Sequence, residues 1–343
     1  MRFHLSAEQH AIQDAVRRAL ADCWAIDRLH DFAEGRDDFD RQSWDALMAL
    51  GIGGLALPEA EGGAGLGLLE AALVCEITGE AAAPGPIIAQ MLGAIAVAAC
   101  DNPAALALLP AIASGEKVVT LFTADGLATG ATAAALFLLL DDRGVRLVEA
   151  GDGVSAQPAR STDRSRPLSR VEVAQQGHVL FGPGDPMAAR LHDAALILIA
   201  ADSLGGAARV TTMSVDYARQ REQFGQPIGR FQGLKHQLAH MALEVEPARA
   251  LVWYAAYAWD AHLPDSARAA AIAKAHLCDV FTRTARAAVA AHGGIGYTWE
   301  YGLHYWLRRA IANAAMLGSP ADHRRRAAEL ADWSTAHTGQ DAA

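Results

Sequence analysis

Aromatic side chains are scarce in this 343-residue chain, at 6%, and charged ones make up only 20% against 52% hydrophobic. That balance excludes a disordered or fibrous polypeptide, which has too little apolar surface to offset the entropy lost on ordering. Basic runs are missing as well: no stretch of Lys and Arg reaches five residues, and the net charge is −10. The phosphate-neutralising surface of a nucleic-acid binder is therefore not there. Cysteine is sparse, and Cys23, Cys75, Cys100 and Cys278 stand in apolar helical contexts without CxxC spacing. They read as buried reduced thiols, not as a disulfide or zinc framework. The opening Met1-Arg2-Phe3-His4-Leu5-Ser6 lacks a signal-peptide core, and the longest apolar run of the C-terminal half, Ala194 to Ala201, stops at Asp193 and Asp202. Such a run is too short to cross a bilayer, so no membrane span is expected and the chain is read as cytoplasmic.

What is present is alanine and hydrophobic periodicity, which together predict a mainly helical protein of two or three structural units. Ser6 and Gln9 form a capping-box pattern ahead of Ile12, Val16, Leu20 and Trp24, which share one helix face. A second helix is expected through Trp44, Leu47 and Met48, ending at Gly51, and a glycine-rich loop follows through Gly62, Gly63, Gly65 and Gly67. A third runs from about Leu68 to Thr78, Pro84-Gly85-Pro86 breaks the chain, and a further helical run closes near Gly115.

From Lys117 the pattern turns β-rich, with strands expected at Val118–Phe122, Ala135–Leu140, Val145–Val148, Val171–Val173 and Val179–Phe181. Beyond Pro186 the reading returns to helix, in segments of about 187–220, 231–262, 265–291, 299–316 and 320–333, the lengths of an antiparallel bundle. Phe231, Leu234, Leu238, Met241, Val245, Ala248, Val252 and Ala255 form an apolar seam on the second of these, and Pro247 is expected to bend it. The organisation is thus an N-terminal all-helical domain (1–116), a reduced β-domain (117–186) and a C-terminal helical bundle (187–343).

No Glu is followed by a His three residues later, so the bundle cannot carry the paired ligands of a di-iron centre. His236 and His240 stand one helical turn apart but have no third ligand in sequence, and no metal site is expected. The informative segment is Tyr217-Ala218-Arg219-Gln220-Arg221-Glu222-Gln223-Phe224-Gly225-Gln226-Pro227-Ile228-Gly229-Arg230-Phe231-Gln232. At a helix–turn–helix junction its guanidinium donors and helix-terminal N–H groups suit a diphosphate, although a plain arginine-rich surface turn has the same composition. Ala291-His292-Gly293-Gly294-Ile295-Gly296 joins two helices through glycines whose N–H groups are able to face an anion, or which simply cap the helix. Neither segment follows a strand, so a Rossmann phosphate site is not indicated.

With these two segments, with His304-Tyr305-Trp306-Leu307-Arg308-Arg309, and with Leu57-Pro58-Glu59-Ala60-Glu61-Gly62-Gly63, the chain resembles the acyl-CoA dehydrogenases over nearly its whole length. The resemblance implies an N-terminal helical domain, a middle β-domain and a four-helix bundle that clamp FAD between paired subunits. It implies α,β-dehydrogenation of an acyl-CoA thioester, with electrons passed to an electron-transfer flavoprotein. It places Arg221, Gln223, Phe224 and Gln232 along the flavin nucleotide, and Gly293 and Gly294 against a nucleotide across the dimer interface.

The chemistry needs a carboxylate to remove the α-proton, with a pKa raised toward neutrality. Many family members carry it in a Glu-Gly-Thr motif after the arginine-ending helix, where this chain reads Met316-Leu317-Gly318-Ser319, so Leu317 replaces the acid. Other relatives carry it on the preceding long helix, near Ala261 here, which leaves the neighbouring Asp260 as the one displaced candidate. The β-domain departs too: Thr123-Ala124-Asp125-Gly126-Leu127-Ala128-Thr129-Gly130 stands where relatives carry a Thr-Glu-Pro-x-x-Gly-Ser-Asp-like stretch, and no Trp occurs between Trp44 and Trp253. Short members of this kind resemble the non-catalytic partners in α2β2 acyl-CoA dehydrogenases, notably those of actinobacterial steroid side-chain degradation. The expected role is one subunit of a heteromeric enzyme whose longer partner supplies the base. The alternatives are a self-sufficient homotetramer with a displaced carboxylate, a flavin monooxygenase on the same scaffold, and a non-enzymatic acyl-CoA-binding scaffold.

Overall fold

A computed structural model describes residues 4–35, 37–122 and 125–331. The first helices are α1 (Ala7–Cys23), α2 (Ile26–Glu34) and α3 (Arg41–Met48). Ser6 and Gln9 close the capping box reciprocally, which fixes the start of α1. The glycine-rich loop that follows holds two 3-10 turns and leads into α4 (Leu68–Glu80). The helical run after Pro86 divides into α5 (Ile87–Ala98), α6 (Pro103–Leu106) and α7 (Leu109–Ala113). Prolines at the starts of α6 and α7 make each a new beginning and not a continuation.

Two small sheets come next. β1 (Val119–Phe122) pairs parallel with β3 (Leu136–Asp141), which pairs antiparallel with β4 (Gly144–Glu149), and that with β7 (His178–Phe181). β2 (Leu127–Thr129), β6 (Leu168–Val173) and β5 (Val154–Ala159) form an antiparallel sheet in that order. β2 and β5 are absent from the sequence reading. β5 is an edge strand whose alternation, Val154-Ser155-Ala156-Gln157, is cut short by Pro158, so composition and period mark it only weakly. α2 was missed for a similar reason, being nine residues long with no side-chain cap.

The remainder is α8 (Pro186–Gln220), a hairpin of β8 (Glu222–Gln223) and β9 (Gln226–Pro227), α9 (Gln232–Asp260), α10 (Ser266–His292), α11 (His304–Ala315) and α12 (Pro320–Glu329). The expected helix from 299 therefore starts at His304, after a glycine loop, and the end expected at 333 lies outside the described residues. α9 runs unbroken through Pro247, and its seam is buried from Met241 onward, with Phe231, Leu234 and Leu238 only half-buried.

α8 is the axis of the fold. Among the described residues it is the one helix long and apolar enough to cross a membrane, but 89% of that apolar stretch is packed inside the protein. It crosses α4 at backbone contact: a Cβ at Gly79 would lie 2.0 Å from the Asp202 carbonyl, and one at Gly205 would lie 1.7 Å from that of Glu76. One hydrophobic core runs through α1 to α11 and the inner face of the first sheet, and a smaller one fills the space between the sheets.

Candidate functional site

The surface around Arg221 is built by the way α8 stops. Arg221 takes an extended backbone (φ −74°, ψ 122°) and its N–H caps the Tyr217 carbonyl at 2.8 Å. The chain turns back through Phe224 (φ 53°) and Gly225 (φ 75°), the two positive φ values that a tight hairpin needs. Ile228 N–H bonds the Arg221 carbonyl at 2.8 Å, which closes the hairpin onto the helix end. Arg221 and Gln223 are exposed, and Phe224 is 92% exposed, its ring edge-on to Phe231 at 6.0 Å. Gln232 is exposed on the first turn of α9.

The glycine loop lies beside this hairpin. Tyr217, one turn before Arg221, stacks on His292 with ring centroids 4.5 Å apart, and His292 is followed directly by Gly293. His292 is fixed by the Ala288 carbonyl at 2.7 Å and the Tyr301 hydroxyl at 2.9 Å, and burial lowers its pKa. Gly293 (φ 65°, ψ −139°) and Gly294 are exposed, and a Cβ on either meets nothing within 4 Å. Two motifs far apart in sequence thus share one open surface with a guanidinium, amide side chains and an exposed ring. Those donors, with no protein atom over the glycines, fit the phosphates of a dinucleotide. Arg221, Gln223, Phe224, Gln232, Gly293 and Gly294 are the residues that would hold it.

A second feature is a cavity of about 290 Å³ between the start of α5, the β-sheets, α8 and the end of α11. Its walls include Pro86, Ile87, Ile199, Ile311, Met316 and Leu317. Leu317 is held in a left-handed conformation (φ 56°) by a clamped turn. His323 Nε2 donates to the Leu317 carbonyl at 2.9 Å, and the buried Lys274 ammonium donates to the carbonyls of Asn313 (2.9 Å) and Gly318 (3.3 Å).

Three carboxylates line this cavity, and each is engaged. Asp202 faces Arg309 through two bonds, Nε–Oδ1 at 3.0 Å and Nη2–Oδ2 at 2.5 Å, and Asn313 adds a third at 2.7 Å. Burial pushes the Asp202 carboxyl up, but Arg309 and Arg166 outweigh it and leave the pKa below the ordinary range. Asp163 accepts from Arg166 Nε at 2.9 Å and from the Ser165 hydroxyl at 2.6 Å, and Asp125 accepts the Leu127 N–H at 3.2 Å. Asp202 and Arg309 were missed as a pair in the sequence. A usable signal was there, because an Asp inside so apolar a helix needs a buried cation.

Asp260, the displaced candidate for the base, has another position. Its two carboxylate oxygens accept the N–H groups of Leu68 (2.8 Å) and Leu69 (3.1 Å), so it caps the start of α4 and is not among the residues lining the cavity. Burial raises its pKa against the opposing pull of those two bonds. His236 and His240 are exposed, and no group of three metal-ligating side chains occurs among the described residues. Cys75, Cys100 and Cys278 are buried and Cys23 half-buried, and all four are free thiols.

Comparison with known proteins adds the following. The acyl-CoA dehydrogenase N-terminal domain profile matches residues 6–116, and the acyl-CoA dehydrogenase C-terminal domain profile matches residues 188–331. Acyl-CoA dehydrogenase IpdE2 of Mycobacterium tuberculosis is 33% identical over 320 residues, which is 93% of this chain and 91% of that one. Acyl-CoA dehydrogenase FadE34 of the same organism is 32% identical over 349 residues, 94% of this chain but 48% of FadE34. A chain of the Tcur3481-Tcur3483 steroid ACAD G363A variant superposes with a TM-score of 0.86 at 27% identity, over 94% of this chain and 97% of that one. A chain of the ChsE4-ChsE5 complex from Mycobacterium tuberculosis gives a TM-score of 0.86 at 25% identity, over 98% and 100%.

Proposed function

The chain belongs to the acyl-CoA dehydrogenase family, and from that premise we propose that it is one subunit of a heteromeric enzyme whose longer partner supplies the catalytic base. The observation that carries this reading is Leu317. It lines the cavity at the position where many family members carry the acid, and Asp125, Asp163 and Asp202 are each committed to other groups. A carboxylate held below its ordinary pKa by two guanidinium groups is a poor acceptor for an α-proton.

The reaction proposed is α,β-dehydrogenation of a bulky acyl-CoA thioester, with an electron-transfer flavoprotein as acceptor. FAD, when bound, would take the β-hydrogen as hydride. This chain's part is to bind and orient. When FAD is bound, Arg221, Gln223, Phe224 and Gln232 would lie along the flavin nucleotide, and Gly293 and Gly294 would contact a nucleotide across the subunit interface. Pairing is supported by two of the similar structures, whose names each join two components. FadE34 adds to this, since the part similar to this chain is only about half of it.

Co-expression with a longer acyl-CoA dehydrogenase chain encoded nearby tests the proposal. A yellow complex that oxidises a bulky acyl-CoA, from components inactive when separate, is the expected result, and Arg221→Gln should strip the flavin from it. Full activity of this chain by itself would overturn the reading.

A further inference from the structure

A smaller cavity, of about 190 Å³, lies where α1, α2 and the end of α4 meet α8 and α11, and it shares no lining residue with the one under Leu317. Its walls are apolar. Leu20, Trp24, Leu29, Ile77 and Trp306 are each no more than 5% exposed, and the exposed Ile26 stands at the mouth. One wall is held rigid: Trp306 Nε1 donates to the carbonyls of Gly79 (3.2 Å) and Glu80 (3.1 Å), and the Arg209 guanidinium lies 5.8 Å from the centre of the same ring.

The charged side chains of the lining are Arg17, Glu80 and Arg209. Glu80 accepts from Arg17 Nε (3.4 Å) and Nη2 (3.2 Å), and Arg17 Nη1 donates to Asp14 at 3.0 Å, so both nearby acids are committed to Arg17. Arg209 is exposed and has no carboxylate partner among the described residues. A guanidinium only donates, and it pairs best with a carboxylate that takes two of its N–H groups at once. The size of the ligand follows from the volume. An apolar cavity of about 150 Å³ takes benzene, so about 190 Å³ takes a ring of that size with one or two further atoms.

We infer that this cavity binds a small monocarboxylate with a ring-sized apolar body, the body packed against Trp24 and Trp306 and the carboxylate paired with Arg209. Every wall comes from this chain, so the site stands apart from the proposed subunit role and from flavin. Phenylacetate is a suitable probe, and phenethyl alcohol, which carries a hydroxymethyl group in place of the carboxylate, is its uncharged control. Ligand-observed NMR titration of the full chain measures the binding of both.

Phenylacetate should bind the wild-type chain more tightly than phenethyl alcohol does, and should raise its melting temperature by mass action. Arg209→Gln should weaken phenylacetate roughly tenfold and leave phenethyl alcohol unchanged, the loss of a charge-assisted pair. Ala21→Phe, at an exposed position of α1, fills the mouth of the cavity and should abolish binding of both probes while the circular dichroism stays the same. No phenylacetate binding to the wild-type chain, equal losses of the two probes in Arg209→Gln, or phenylacetate retained by Ala21→Phe, which would put the acid elsewhere on the chain, overturns the inference. Because every measurement uses the lone chain, these failures differ from a failure to form a flavin-bearing complex.

Discussion

The Asp260 carboxylate accepts the Leu68 backbone N–H at 2.8 Å, and so ties the end of α9 to the start of α4 across 192 residues of sequence. A side chain with this duty is a cap, and its removal should act on stability. Asp260→Ala should cost about 1 kcal/mol, the ordinary worth of a capping carboxylate, read by urea unfolding. Asp260→Asn should leave turnover of the flavin-bearing complex within about threefold, whereas loss of a true proton acceptor lowers it by a factor of about 10² to 10⁴. The larger drop would restore Asp260 as the base.

The pair Arg309 and Asp202 is buried on both sides, at 2% and 1% side-chain exposure. Deleting one partner strands the other in the core, so Arg309→Met alone should destabilise the chain by about 3–5 kcal/mol. Arg309→Met combined with Asp202→Leu should recover part of that loss. Chemical denaturation of the two variants checks the order, and a double variant no more stable than Arg309→Met would contradict the stranding of Asp202.

Gly293 and Gly294 are both open to solvent, but their backbones differ. Gly293 has φ 65° with ψ −139°, a combination only glycine adopts readily, so Gly293→Ala should cost about 1–3 kcal/mol. At Gly294 a methyl group meets no atom within 4 Å, and Gly294→Ala should leave the melting temperature unchanged. If a nucleotide approaches this loop in the complex, Gly294→Ala should still reduce retained flavin. Full flavin content with an unaltered melting temperature would remove the loop from the proposed site.

His323 is buried and His304 half-buried, and burial lowers both pKa values from 6.5 to about 4. On acidification the unfolded chain takes up these protons first, so the stability the two histidines contribute above pH 6.5 is lost progressively as pH falls toward 4. His323→Gln keeps a donor for the Leu317 carbonyl but cannot titrate. Its melting temperature should therefore fall less steeply than the wild type's between pH 6.5 and 4.5, and parallel curves would contradict the assignment.

Local chemistry made much of the fold legible in advance. The Ser6 cap, the glycine loop at 62–67 and the apolar seam of α9 from Met241 onward are short-range signals, and each is where the residues put it. Short elements that rely on neighbours left no such mark: α2 has no side-chain cap, and β5 is paired on one side only. The candidate site divides the same way. Arg221 and Gly293 stand out by type, but their adjacency comes from Tyr217 stacking on His292, which no spacing encodes. The cavity floor was invisible, because Asp202 and Arg309 lie 107 positions apart and meet only once the chain has folded.

Arg309 touches the loop before α5 through Ala83, the strand connection through Ser165 and the axis helix through Asp202. Anyone redesigning the protein to admit larger guests should therefore leave that arginine alone and carve from the rim, at Ile311 or Met316. Enlargement there removes only van der Waals contacts, whereas enlargement at the base would unfasten three parts of the chain at once.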